Sequence, residues 1–155
     1  MKRRANCWTY FGLMLAVFTL APGAVGQDPP ANDDCLDAIA VSNGTTEYSN
    51  VDATTDGLPH ELCDQYDSGQ TNVEQDVWFT YTATCTGTAT IDVCDSTFDT
   101  KMAVYEGCPT FSCPPGDEAL LACNDDACGS FGYRSQVTVD VVKGNCYTIR
   151  VGSYS

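Results

Sequence analysis

The chain has 155 residues, with 21 acidic against seven basic side chains, a formal net charge of −14, and ten cysteines. So acidic a balance excludes nucleic acid and an anionic membrane surface as partners, because both need a basic patch. It suits solubility and bound cations, with most of the carboxylates forming a solvated surface.

The first residues are a targeting pattern. Lys2, Arg3 and Arg4 precede an apolar run from Trp8 to Ala21, too short for the ~20 residues of a membrane-spanning helix. Ala24-Val25-Gly26 suits signal peptidase, so residues 1–26 read as a signal peptide and Gln27 as the first mature residue. This predicts a protein secreted to the extracellular space or cell surface, with no membrane insertion after cleavage. Residues 27–31 are a short lead, and residues 32–155 suffice for a single domain with one core. Only Lys101, Arg134, Lys143 and Arg150 remain as bases in the mature part.

Asn32-Asp33-Asp34-Cys35 enters an apolar patch, Ala38–Val41, which fits a strand or a short helical turn. Asn43-Gly44-Thr45 is a turn by residue type, and Glu47–Val51 a weak strand candidate. Residues 52–75 are polar and aperiodic, a long connection for a compact domain; Cys63 is expected to fix its middle.

The centre of the chain is Asp76–Cys108. Val77, Phe79, Tyr81 and Ala83 alternate with Trp78, Thr80 and Thr82, the period of a strand. Thr88–Cys94 repeats the pattern, and Lys101–Glu106 is a third strand with Met102 and Val104 on one face. After a Pro-containing loop, Ala119–Ala122 is a short buried strand. Gln136–Val142 alternates with Val137, Val139 and Val141 inward, and Cys146–Gly152 closes the series. No stretch after the leader keeps helical periodicity for ten residues. The prediction is an all-β, antiparallel β-sandwich, with Val77, Phe79, Tyr81, Ile91 and Val93 between its sheets.

Nine cysteines follow the leader: Cys35, Cys63, Cys85, Cys94, Cys108, Cys113, Cys123, Cys128 and Cys146. In an exported chain they read as a disulfide framework, with Cys35–Cys63 the favoured pair and the odd one free, intermolecular or paired with something absent from this chain. Cys108/Cys113 and Cys123/Cys128 have the spacing of metal knuckles, but export favours disulfides, either as local loops or as crossed bridges such as Cys108–Cys123. A tight hairpin of 77–83 with 88–93 would place residue 94 near residue 79, beyond the ~7 Å Cα reach of Cys85. The two strands are therefore expected in opposite sheets, where Cys85 could reach Cys94 or Cys146.

The order of motifs resembles the bacterial pre-peptidase C-terminal type of secreted module, in a cysteine-rich variant. The carrying residues are Asn32-Asp33-Asp34-Cys35, Asp76-Val77-Trp78-Phe79-x-Tyr81, Phe98-Asp99-Thr100, Ala103-Val104-Tyr105, Cys123-Asn124-Asp125-Asp126 and Tyr147-x-Ile149-Arg150-Val151-Gly152. The resemblance spans Ala31 to Tyr154. It implies a jelly-roll sandwich and a non-catalytic accessory role, sometimes with calcium holding loops. Such modules end with one more strand, so the domain is expected to lack its last strand and to be C-terminally truncated.

Asp33, Asp34, Asp95, Asp99, Asn124, Asp125 and Asp126 all fall in connections, where oxygen ligands from different strands can converge on Ca²⁺. The resemblance singles out Asp99 and Asn124-Asp125-Asp126. An EF-hand is excluded, because the sixth position from Asp95 is Thr100 and strands flank it. His60, the only histidine, reads as a surface loop residue with no nucleophile beside it. Trp78 and Tyr81 read as core, and Phe131 and Tyr133 as exposed loop aromatics. The expected function is a non-catalytic binding or adhesion module, calcium-stabilised, for an extracellular protein or polysaccharide. The alternative is a structural cell-surface or matrix protein that self-associates through an open sheet edge or a free cysteine. A small secreted hydrolase is a remote third reading.

Overall fold

The computed structural model describes residues 10–15, 28–110, 112–128 and 132–155. The remainder of the predicted leader, with Gln27 and Phe131, lies outside the described residues. Strands dominate: β1 Tyr10–Leu15, β2 Ile39–Val41, β3 Gly44–Tyr48, β4 Glu74–Thr82, β5 Gly87–Asp92, β6 Thr100–Glu106, β7 Leu120–Asn124, β8 Gln136–Val141 and β9 Cys146–Ser153. They form two sheets, a four-stranded one in the order β3-β1-β5-β8 and a five-stranded one in the order β2-β4-β9-β6-β7.

β4 and β5 lie in opposite sheets, as expected, although Cys85 bridges neither Cys94 nor Cys146, the two partners expected of it in that arrangement. Their inward residues make the main core: Val77, Phe79 and Tyr81 from β4, Ala89 and Ile91 from β5, with Val104, Val139 and Ile149 from their neighbours. Each such large aliphatic or aromatic side chain contributes about 1.5–3 kcal/mol by burial. Tyr48 meets Phe79 edge-on at 6.2 Å across the two layers.

The expectation of an antiparallel sandwich needs correction. β4–β9, β9–β6, β6–β7 and β5–β8 are antiparallel, but β2–β4, β1–β3 and β1–β5 are parallel. β2 reaches β4 only through β3 in the other sheet and the long 52–73 crossover, so no hairpin sets its direction. The third strand starts at Gly44, three residues earlier than the side-chain pattern implied, in what reads as a turn.

The polar connection before β4 is not a loose loop. It covers the outer face of the five-stranded sheet, so β6 is buried on both faces. Beneath it lies a second, smaller core of Trp78, Ala103 and Tyr105, joined by Cys35, Cys63 and Val73. Two buried cations tie the covering backbone down. Arg150 Nη1 donates to the Leu58 carbonyl at 2.6 Å and Nη2 to that of Val73 at 2.8 Å. Lys101 Nζ donates to the Gln70 carbonyl at 2.6 Å. Gly57 is required here, since a Cβ would fall on the Arg150 guanidinium. At Gly152 a Cβ would strike the Glu74 carbonyl at the β4 bulge.

The disulfides overturn the favoured Cys35–Cys63 pair, the local or Cys108–Cys123 alternatives, and a bridge from Cys85 to Cys94 or Cys146. The bonds are Cys35–Cys113, Cys63–Cys123, Cys94–Cys128 and Cys108–Cys146. Cys85 is disulfide-bonded as well, and none of the described cysteines is free. Cys63 sits in a short 3₁₀ turn over β7, whereas Cys35 sits in another beside β4. Proximity in sequence therefore put neither near the other. Four disulfides in a domain this small are consistent with an extracellular location.

Candidate metal centre

β6 and β7 pair antiparallel with Met102 opposite Asn124. The residue that precedes β6 and the two that follow β7 therefore leave the sheet side by side. Carboxylate oxygens of Asp99, Asp125 and Asp126 all lie within 4.8 Å of one another. Two oxygens that both bind a Ca²⁺ at 2.3–2.6 Å are at most about 5 Å apart, so the separation fits one shared ion. An all-oxygen set of this kind suits a hard cation.

The polar accounting singles out the same place. Asp125 is 3% exposed, and its Oδ1 and that of Asp99 are buried without a hydrogen-bond partner among the described residues. Buried polar atoms are nearly always satisfied. Burial pushes the Asp125 carboxyl up to about 6, resisted by Lys101 and reinforced by Asp126 and Asp99. Asp99 is raised by burial and by Asp126, with Lys101 opposing. Lys101 acts on both carboxyls through its charge, yet it forms no ion pair within 4.0 Å among the described residues. Its ammonium is engaged by the Gln70 carbonyl and lies over the Tyr154 ring at 4.7 Å.

The frame around the cluster is tied by hydrogen bonds and a disulfide. Ser135 Oγ donates to the Asp125 carbonyl at 2.9 Å and the Thr100 carbonyl at 2.8 Å. The Asp125 N–H and the Asn124 side-chain amide both donate to Gln65 Oε1. Cys94–Cys128 anchors the following loop. A cavity of about 360 Å³ lined by Thr97, Phe98, Asp99, Tyr133 and Arg134 opens beside Asp99.

Of the seven predicted ligands, three converge and four do not. Asn124 is committed to the frame, its Oδ1 accepting from the Gln136 N–H at 3.0 Å. Asp33 caps the covering segment, accepting from the Thr54 N–H at 2.6 Å and its hydroxyl at 3.1 Å. Asp34 is exposed beside the first 3₁₀ turn, and Asp95 is exposed in the turn after β5.

His60 corrects the surface-loop reading. It is 1% exposed, held between Asp117 Oδ1 at 2.5 Å and the Tyr105 hydroxyl at 3.0 Å. Its loop lies under other chain rather than over solvent, and nothing in its own neighbours signals that. Trp78 and Tyr81 are core, and Tyr133 is exposed.

The residues missed by sequence reasoning are Lys101, Asp76 and Arg150. Arg150 and Asp76 form a fully buried ion pair, and Asp76 also accepts from the backbone N–H groups of Asp56 and Gly57. A signal existed: two of the four basic residues after position 26 stand at outward positions of otherwise apolar strands. No family model, curated protein or solved structure matches this chain.

Proposed function

We propose that this is a secreted, non-catalytic binding or adhesion module with a jelly-roll-like sandwich, whose loops at one end are held by calcium at Asp99, Asp125 and Asp126. The observation that carries the reading is the pair of buried, unpartnered carboxylate oxygens at a point where three carboxylates meet. A divalent cation would supply what those oxygens lack and offset the burial, and secondarily the mutual repulsion, that raise Asp99 and Asp125. The disulfides and the leader-like start support export, and the order of motifs supports kinship with the pre-peptidase C-terminal modules. Such a module presents its ordered loops to an extracellular protein or polysaccharide, and the cavity beside Asp99 with the exposed Tyr133 is the contact surface.

Calorimetry of the exported chain in millimolar calcium and in EDTA tests the calcium part. A ligand that binds only the folded state at 100 times its Kd stabilises by ~2.7 kcal/mol, so the melting temperature rises by several degrees. An unchanged melting temperature in both conditions would falsify calcium as the ligand.

A further inference from the structure

We propose that the space between β3 and β5 is an acceptor site for an extended apolar strand donated by a partner protein. In the structure that space is filled by β1, residues Tyr10–Leu15, which pairs parallel with β3 on one side and with β5 on the other. These residues fall within the leader, so the inference rests on its removal at export, part of the reading above. Without β1 the four-stranded sheet divides. β3 has no other neighbour, and β5 keeps only β8. The gap is one strand wide, about 9–10 Å between flanking strands. It exposes backbone groups of Gly44–Tyr48 and Thr90–Asp92 that the sandwich does not otherwise pair. Unpaired sheet edges of this kind recruit added strands.

The register defines the occupant. Position 11 pairs with Ile91 and position 15 with Tyr48, which are 1% and 7% exposed and belong to the core between the sheets. Alternate residues of the incoming strand therefore have to be apolar, as Phe11, Leu13 and Leu15 are. Charge decides between donors. Residues 27–155 carry 21 acidic and four basic side chains, so a second copy brings like charge, whereas a strand with a basic flank is attracted. The other described strands are also already built into the two sheets. The donor is a partner segment of at least six residues, free of acidic side chains, running parallel to β3 and β5.

The test uses the chain expressed with its leader and purified from the medium. Intact mass first reports whether residues 1–26 are gone; a mass that retains them overturns the proposal. A synthetic peptide of residues 8–17 is then titrated into the protein, with hydrogen exchange followed at Gly44–Tyr48 and Gly87–Asp92. The expected result is one-to-one binding that slows exchange in both segments. The Phe11→Asp, Leu15→Asp peptide should bind roughly tenfold more weakly or worse, because each carboxylate would enter an apolar layer. Absence of binding, or equal binding of the two peptides, overturns the proposal. So does a dimer of the exported chain in which both segments are already protected, which would make a second copy the donor. Titrations in calcium and in EDTA should agree, so failure of the calcium site leaves the outcome unaffected.

Discussion

Asp76 in β4 and Asp125 just past the end of β7 are both buried aspartates, and burial pushes both carboxyls up to about 6. Around Asp76 everything is closed. Arg150 pairs with it, two backbone N–H groups donate to it, and the same guanidinium holds the covering segment through two carbonyls. Asp125 has its backbone secured by Ser135 and Gln65, but its carboxylate meets those of Asp99 and Asp126 and its Oδ1 has no donor among the described residues. Lys101 stands near without pairing. One site is a structural tie whose partners are all in the chain. The other is an ordered arrangement in which two buried carboxylate oxygens have no partner among the described residues, and that difference is what the proposed cation site rests on.

The sharpest way to break the comparison is at its closed side. Arg150→Leu leaves Asp76 buried without a counter-ion and frees the Leu58 and Val73 carbonyls. Removing one member of a buried pair costs about 3–5 kcal/mol, so urea denaturation should show a loss of this order with no benefit from calcium beyond that of the wild type. A smaller effect is expected from Cys63→Ala with Cys123→Ala, which releases the segment bearing Gln65. Loss of a native disulfide costs about 2–4 kcal/mol, and here calcium affinity should fall too, because Gln65 positions Asp125.

Alkaline pH probes the closed side without mutation. Tyr105, under the covering segment, and Tyr48, in the main core, are each raised by burial to about 12 from an ordinary 10.0. Above pH 10 the unfolded chain releases these protons and the folded chain retains them, so the folded state binds more protons. The stability from these groups is full below pH 10 and is lost as pH rises through 12, by about 2 kcal/mol for each. Absorbance of ionised tyrosine should show two groups that titrate only as the chain unfolds. At the open side the sign reverses. Asp125→Asn removes repulsion and supplies a donor, so in EDTA it should raise stability, by up to ~1 kcal/mol.

Much of the scaffold is legible in the sequence because it rests on local alternation. Val77-x-Phe79-x-Tyr81 and Val137-x-Val139-x-Val141 announce both their strands and their inner faces. The placement of β4 and β5 in different sheets is expected from a distance limit on Cys85, but the bridges assumed for it are absent, since Cys94 pairs with Cys128 and Cys146 with Cys108. What stays hidden is non-local. Cys63 reaches Cys123 and His60 reaches Asp117 only because residues 52–73 fold over the sheet, and no periodicity records that cover. The candidate centre was half visible. Acidic residues in turns are easy to find, but the pairing of Met102 with Asn124 selects Asp99, Asp125 and Asp126 and leaves Asp33, Asp34 and Asp95 apart.

The most direct measurement is a calorimetric calcium titration of three exported proteins: wild type, Asp125→Asn and Asp95→Asn. The account predicts one site in the wild type, the same affinity in Asp95→Asn, and a loss of roughly tenfold or more in Asp125→Asn, which removes a charged ligand. Equal affinity in all three, or no heat in any, would contradict it.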